Sequence, residues 1–382
     1  MKRSLSMLAL VAAIVAVLAA SCATKPKVTP QEPAQPEPTV QPAPTPQPAT
    51  PSVSQEDLDA LLAKAQGLKK QAFDRGLADV LPDDYAAANA ALASGKEAYD
   101  AKDGPVAKDK LETAVKLFTD LNAKGLVELA SIGKKKADDM RKSAIAAGAE
   151  TAAADRLAPG DEALAAASSA SDAKDYEAAI ASYERARALY ELSYKRSVAK
   201  GLRDRIETSN YAAWDQGNYA KAEERYAAEE ALFASLGDQG QAASPATDPK
   251  PLSQGIDALD EAVLRYNLVI QKGREGGANA RKDKADAIKL QSEEIKAQVA
   301  VKAEYDAALS LYKDAQSAMA AGEYENAAAK FDEATAAFEN AYALASDKRA
   351  KAEAAMKAAE EAAAESLRKA HDADSVVGGQ TK

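Results

Sequence analysis

The sequence predicts an all-α fold in which helical hairpins, joined by long fused helices, form an elongated solenoid or bundle. Alanine supplies 94 of the 382 residues, and aromatic residues make up only 5% of the chain. Alanine has the highest helix propensity, and runs of β-branched residues, which favour strands, are rare here. From Ser54 onward, charged residues alternate with small apolar ones at helical spacing. A hairpin of this composition cannot bury its apolar face alone and must stack on neighbours.

The first 21 residues predict a signal peptide. A basic start, an apolar run from Leu5 to Leu18 and three small residues precede Cys22, the only cysteine. This end resembles the lipobox of bacterial envelope lipoproteins in its looser spirochaete form, because Leu18 stands four residues before Cys22 instead of three. The resemblance implies that Cys22 is acylated and anchors the mature protein to the inner or outer membrane, facing the periplasm or the surface. The alternative is an ordinary secretory signal cut after Ala20.

Residues 22 to 53 predict an extended tether that follows the acylated cysteine. Ten of the sixteen prolines lie here, among Gln, Thr, Ala and Glu. This composition favours polyproline II, and at about 3.1 Å per residue the tether would span on the order of 90 Å.

The charge balance restricts the partners. The full chain has a net charge of −10, and removal of the signal peptide with its two basic residues gives 47 − 59 = −12. Such an acidic protein is poorly suited to bind nucleic acid or anionic lipid headgroups. We therefore expect no nucleic-acid partner, and contact with a membrane only through the N-terminal lipid.

A ladder of aromatic residues with a seven-residue step organises the folded region. Seven residues are two helical turns, so the rungs of each copy lie on one helix face, where we expect them to form the core. Alanine recurs three and ten residues after the first rung, except that Glu229 breaks the pattern in one copy. The copies are Tyr176, Tyr183 and Tyr190; Tyr219, Tyr226 and Phe233; Tyr324, Phe331 and Phe338; and a degenerate copy of Gly104, Leu111 and Phe118.

A turn signal precedes each copy, at residues 101–103, 173–175, 216–218 and 321–323, with Asp175 and Asn218 as predicted N-caps. The run from Gly322 through Tyr324, Ala327, Phe331 and Ala334 resembles the second helix of tetratricopeptide repeats. The hairpins also resemble those of uncharacterised envelope lipoproteins. These resemblances imply a stack of helical hairpins and, for the tetratricopeptide-like fold, a concave face that can bind ligands. The spacing of the copies, 72, 43 and 105 residues, indicates that helices of successive hairpins are fused.

Proline and glycine predict the boundaries in the folded region. We expect an N-terminal helical region over 54–236, a loop or hinge at 237–253, a C-terminal helical region over 254–371 and a disordered tail over 372–382. The glycines between Gly273 and Asn279 predict a second soft point, and residues 345–371 a protruding helix. Trp214 aligns with Tyr99 of an earlier hairpin and is expected to pack within its own.

Catalytic chemistry is not indicated. The only histidine, His371, has no neighbouring His or Cys with which to bind a metal, and no nucleophile can be paired with a histidine base. The carboxylate pairs Glu223-Glu224, Glu229-Glu230 and Glu293-Glu294 are interpreted as solvated helix faces. The prediction is a protein that is not an enzyme and has no cofactor, metal site or catalytic residue.

Two functions remain. The first is a non-enzymatic, membrane-anchored envelope scaffold that binds an unidentified envelope protein through its helical surface. The alternative is a tetratricopeptide-like lipoprotein that serves a solute transporter and encloses a small ligand, which a pocket lined by tyrosines and charged groups would favour. Closely packed, alanine-rich helices leave little room for such a pocket, so the scaffold is preferred. Attachment to peptidoglycan is a weaker third hypothesis, because no wall-binding motif is recognisable.

Overall fold

The computed structural model describes residues 53–237 and 239–378. The predictions for the signal peptide, for Cys22 and for most of the tether lie outside the described residues. Across the described residues the chain forms thirteen α-helices and one 3-10 helix with no strand, which confirms the all-α fold. From Val53 onward the chain is a single compact unit.

The helices fall into a repeating order of long, four-residue and nineteen-residue elements. The long helices are α1 (Gln55–Asp74), α4 (Gly104–Ala146), α7 (Tyr176–Thr208), α10 (Lys250–Glu294) and α13 (Tyr324–Gly378). The four-residue elements are α2 (Leu77–Val80), α5 (Ala149–Ala152), the 3-10 helix (Tyr211–Trp214) and α11 (Ala297–Ala300). The nineteen-residue helices are α3 (Pro82–Asp100), α6 (Ala154–Asp172), α8 (Gln216–Ala234) and α12 (Lys302–Ala320). One further helix, α9 (Gln239–Ala243), stands outside this order.

Each four-residue element follows a backbone reversal. The residue at the reversal has positive φ, and it is Gly76, Gly148, Asn210 or Lys296. Glycine and asparagine adopt this left-handed conformation at least cost, so the first three fit their positions. We name four hairpin units after the nineteen-residue helices: unit 1 (α3), unit 2 (α6), unit 3 (α8) and unit 4 (α12), each comprising the four-residue element before that helix and the long helix after it.

The long helices run parallel; α4 begins level with α1, and α7, α10 and α13 are each displaced along their predecessor. Val53, just before α1, lies next to Gly104 at the start of α4, while Leu77 lies next to Gly125 further along α4. The same direction relates α7 to α10, where Leu192 meets Gly255 and Tyr211 meets Gly273. The nineteen-residue helices run antiparallel to the long helix that follows and pack along it. The result is the elongated stack of hairpins that the sequence predicts.

Buried residues with a seven-residue step, most of them small, lie where each long helix packs on the next. In α1, α4, α7 and α10 the last buried residue of the series lies four residues before the positive-φ residue. The series are Leu58, Ala65 and Ala72; Ala130, Ala137 and Ala144; Leu192, Ala199 and Ile206; and Ala278, Ala285 and Ser292. The C-terminal half of every long helix except α13 is therefore covered by its successor.

The structure corrects the third copy of the ladder. Tyr219, Tyr226 and Phe233 lie on α8, which corresponds to α3, α6 and α12 and not to the long helices that carry the other copies. The long helix of unit 3 is α10, and its buried rungs are Leu252, Leu259 and Tyr266. Gly255 and Ala262 occupy the two small-residue positions. The sequence analysis missed this copy because two of its three rungs are leucines and not aromatic residues.

The turn predicted at 216–218 is displaced for the same reason. Asp215 is the N-cap of α8, and it accepts a hydrogen bond from the backbone N–H of Asn218 at 3.0 Å. Asn218 is therefore a first-turn residue and not the cap. Asp175 does cap α7, accepting from the N–H of Ala178 at 3.1 Å. Trp214 ends the 3-10 helix and corresponds to Val80 of unit 1, not to Tyr99.

Three predicted breaks also differ from the structure. The predicted hinge at 237–253 contains α9, which packs on α6 and α7, and α10 begins inside it at Lys250. Helix α10 passes unbroken through 273–279, and the rings of Tyr211 and Trp214 lie against its Gly273 and Gly276. Helix α13 extends to Gly378, past the predicted start of a disordered tail at 372.

Candidate functional site

Unit 3 departs from the other three units in the way it closes. In units 1, 2 and 4, three residues join the nineteen-residue helix to the long helix that follows. In unit 3, residues 235–249 make this connection and include α9. Insertions into one copy of a repeat commonly mark a binding face, so unit 3 and its surroundings are the first candidate site.

A buried ion cluster joins α8 of unit 3 to α6 and α7 of unit 2. Glu229 is fully buried, and Arg156 is 2% exposed. Arg156 donates from Nε to Oε1 of Glu229 at 3.0 Å and from Nη2 to Oε2 at 3.3 Å. Arg196 pairs with Glu229 as well, and it donates to Glu230 at 2.6 Å. The interpretation of Glu229-Glu230 as a solvated pair is therefore wrong for Glu229, whereas Glu230 is exposed.

Aromatic rings complete this cluster. The guanidinium of Arg156 lies 4.5 Å from the centre of the Phe233 ring, and that of Arg196 lies 3.9 Å from Tyr226. Although burial opposes ionisation, the two arginines hold the pKa of Glu230 below its ordinary value. Both oxygens of Glu229 are engaged, so the cluster fixes the position of α8 and offers no free acid or base. The matching position in units 1, 2 and 4 is a small buried residue, Gly95, Ala167 or Ala315.

A second recurrent arrangement joins a tyrosine hydroxyl to a carboxylate on the facing helix. Tyr190 donates to Asp161 at 2.7 Å, and Arg141 donates to the same oxygen at 2.7 Å. Burial and the hydrogen bond to Asp161 raise the pKa of Tyr190. Other pairs of this kind are Tyr266 with Glu223, Tyr305 with Glu293 and Tyr312 with Asp286. In each pair the tyrosine hydroxyl donates its proton to the hydrogen bond, and this bond orients the tyrosine ring. We therefore interpret these pairs as part of the helix packing.

Two adjoining crevices lie where α7, α10 and α13 meet. Their volumes are about 510 Å³ and 530 Å³, and both are lined by Arg274, Tyr324 and Glu325. We call the two crevices together the groove. Glu325 of α13 forms ion pairs with Arg205 of α7 at 2.6 Å and with Arg274 of α10 at 3.2 Å, so ion pairs join the helices that line the groove. Trp214 lies at one end and is 48% exposed.

Among the described residues, no helix covers the C-terminal half of α13. Residues 347–374 are all exposed, in contrast to the matching halves of the other long helices. Met356 is 64% exposed and Leu367 is 73% exposed. This bare segment is the third candidate surface, and His371 lies within it.

In the degenerate copy Leu111 and Phe118 are fully buried, and the nine rungs of the other three copies divide into two groups. Four of them are 2% exposed or less and form the core: Tyr183, Tyr190, Phe331 and Phe338. The remaining five are half-buried: Tyr176, Tyr219, Tyr226, Phe233 and Tyr324. Two of this second group border surface crevices, since Tyr324 lines the groove and Tyr226 lies beside Arg196. The sequence analysis did not identify Arg156, Arg185 or Arg196. Arg185 and Arg196 are eleven residues apart on α7, and this spacing would have placed both on one helix face.

Among residues 53–237 and 239–378, no group of His, Cys, Asp or Glu side chains could hold a metal ion. None of the helices in the described part combines the length and hydropathy that a membrane span requires. Comparison with protein-family models, with curated proteins and with solved structures found no match.

Proposed function

We propose that this protein is a non-enzymatic lipoprotein of the bacterial envelope that binds a helical partner protein on the bare half of α13. Cys22 would supply the membrane anchor, and the proline-rich tether would carry the helical stack away from the bilayer. The observation that carries the proposal is the missing cover: each earlier long helix receives the next one on its C-terminal half, and within the described part of the chain α13 receives none.

The bare segment has one apolar face. Met356 and Leu367 are eleven residues apart, which is close to three helical turns and places both side chains on the same side. Ala352, Ala359 and Ala363 lie between or beside them at spacings of three and four residues. A helix can approach closely along such small residues, as the long helices of the stack already do.

Charge pairs keep the rest of the segment soluble and helical. Asp347 pairs with Lys351 at 2.6 Å, and Arg349 pairs with Glu353 at 2.8 Å. Further along, Glu365 pairs with Lys369 at 2.9 Å. Such i,i+4 pairs each stabilise an isolated helix by about 0.2–0.5 kcal/mol. The helix can therefore persist without a partner and present its apolar face.

Site-specific photo-crosslinking in intact envelopes tests this function. A crosslinking residue at position 356 or 367 should capture one protein species, and the same probe at Ala354 or Glu365, on the opposite face, should not. Equal capture from both faces, or none from positions 356 and 367, would contradict the proposal. Capture of a second copy of the chain would replace the partner with a homodimer and would also contradict it.

The anchor is tested separately by Cys22→Ser. The substituted protein should remain unprocessed or appear in the soluble periplasmic fraction, because the lipid on Cys22 is the proposed anchor and no described helix is long and apolar enough to cross a membrane. A Cys22→Ser protein that is processed normally and stays in the membrane fraction would contradict lipidation.

The groove between α7, α10 and α13 favours a second candidate function, the binding of a small solute for a transporter. Tyr324, Trp214 and three arginines line its two crevices. A ligand held there should change Trp214 fluorescence, and Tyr324→Ala should remove the change. Titration of the purified protein with envelope solute extracts separates this function from the scaffold, which predicts no change.

A further inference from the structure

Arg185 is buried where the fold would ordinarily expose a side chain. It lies on α7 and is only 5% exposed. Thr113 on α4 and Glu333 on α13 occupy the same place relative to the ladder rungs, and both are exposed. The difference comes from the connection unique to unit 3, because residues 241–249 lie over Arg185. We call these residues the cover segment.

The cover segment satisfies only one of the donor groups of Arg185. Nε donates to the backbone carbonyl of Ala242 at 2.6 Å. Nη1 and Nη2 are both buried, and neither has a hydrogen-bond partner among the described residues. Asp248 interacts with the guanidinium electrostatically, but its Oδ1 accepts from the N–H of Lys250 at 2.9 Å.

An unsatisfied guanidinium is costly because arginine cannot lose its proton to escape burial. Each buried donor left without a partner costs about 1–3 kcal/mol, and more for a charged group. The fold supplies carboxylates to its other buried arginines, since Arg156 and Arg196 both reach Glu229. At Arg185 it supplies only the electrostatic interaction with Asp248, and no carboxylate of the described residues hydrogen-bonds to Nη1 or Nη2, although the side chain lies on the same face of α7 as Arg196, eleven residues away.

We propose that Arg185 anchors a binding site for a carboxylate, which the cover segment closes. The two Nη groups of a guanidinium lie side by side and match the two oxygens of a planar carboxylate. The carboxylate would satisfy both nitrogens and neutralise the buried charge. Ala242 and Ala243, 1% and 7% exposed, provide the apolar burial that holds the segment closed when the site is empty. The ligand enters when the cover segment lifts.

The ligand carboxylate has two sources, a free organic acid or the C-terminus of a polypeptide. Acetate represents the first and N-acetylalanine the second. Acetamide has the same shape as acetate without its charge, and chloride at equal ionic strength separates specific binding from salt effects. Both carboxylates should bind, and the tighter one identifies the source.

Thermal melting and amide hydrogen exchange test the site in the folded protein, purified without carboxylate or phosphate buffers. In the unsubstituted protein, acetate or N-acetylalanine should raise the melting temperature with saturation and slow exchange at residues 242–248 at least threefold. Arg187→Gln, which removes an arginine two residues along α7 that pairs with Glu191, should respond equally. Arg185→Gln should lose both responses.

Three results would overturn the proposal: no saturable response in the unsubstituted protein, an equal response to acetamide, or an equal response in Arg185→Gln. The first two need no variant, so the test holds even if Arg185→Gln fails to fold. An absent response would mean that water satisfies the two nitrogens.

Discussion

Units 3 and 4 each contain a nineteen-residue helix that packs against aromatic rings of the following long helix, but in unit 3 a buried ion cluster also holds this helix. In unit 4, rings pack on rings: Tyr305 lies 5.5 Å from Phe338, and Tyr312 lies 5.6 Å from Phe331. In unit 3, Glu229 replaces the small residue that is Ala315 in unit 4, and arginines from two neighbouring helices close around it. An apolar interface tolerates any partner that fits, whereas a buried charge requires its counter-charge. Unit 3 therefore fixes the register between units 2 and 3.

We expect the largest change in stability from a substitution among the packed rings of unit 4. Phe331→Ala should lower the free energy of unfolding by about 3–5 kcal/mol, because it opens a cavity among fully buried rings. Tyr342→Ala is the matched control, because Tyr342 lies on the same helix but is 38% exposed. Removing its ring should lower the free energy of unfolding by less than about 1 kcal/mol. Urea unfolding followed by circular dichroism measures both. Similar losses from the two variants would mean that the ladder is not the core.

The stability of unit 3, with its buried ion cluster, should be almost as sensitive to a single substitution. Glu229→Ala leaves Arg156 and Arg196 without their shared carboxylate and should cost about 3–5 kcal/mol. Glu224→Ala removes an exposed carboxylate from the same helix and should change the free energy by less than about 0.5 kcal/mol. The double variant Arg156→Met with Glu229→Leu should recover most of the loss, because apolar residues can replace a buried pair. Failure to recover would indicate that the charges, and not the filled volume, hold the two units together.

A smaller effect tests why α10 continues through its glycines. Gly276→Ala places a methyl group against the ring of Trp214, so we expect a loss of about 1–3 kcal/mol and a shift in the emission of this single tryptophan. Gly201→Ala is made in α7 at a site with nothing within 4 Å, and it should stabilise the protein by about 0.5–1 kcal/mol. Stabilisation by both variants would show that the glycines are a flexible break after all.

How far the sequence leads can be judged from these same residues. Seven-residue spacing correctly placed Tyr183, Tyr190, Phe331 and Phe338 in the core, because period alone determines which helix face a residue occupies. It failed in unit 3, where the tyrosines of α8 follow the same spacing as a long helix. The burial of Glu229 depends on ion pairs with arginines 73 and 33 residues away in the chain, and no local sequence pattern contains that information. The groove likewise arises from the order of packing, whereas the bare half of α13 agrees with the protruding helix that the sequence predicts over 345–371.

The smallest effect concerns a tyrosine–carboxylate pair and depends on pH. Glu293 accepts hydrogen bonds from Lys289 and from Tyr305, and these hold its pKa below the ordinary value of 4.5. The stabilisation is therefore present above about pH 4.5 and is lost as the pH falls through the folded pKa. Glu293→Ala should cost about 0.5–1.5 kcal/mol at pH 7 and less at pH 3.

Glu294→Ala is the control for that pair, because the neighbouring side chain is exposed. It should cost less than about 0.5 kcal/mol at either pH. The sequence interpretation of Glu293-Glu294 as a solvated pair predicts equal small effects. An equal, pH-independent loss in both variants would contradict the role assigned to Glu293.

Hydrogen exchange of α13 tests the proposed function most directly. The account predicts slow exchange over residues 327–345, which are packed in the stack, and fast exchange over 347–374 in the purified protein. In native envelopes, exchange over 352–370 should slow by at least tenfold while the packed half is unchanged, because a helical partner covers the bare face. Equally fast exchange of 352–370 in both samples would contradict the claim that this half of α13 is a docking surface.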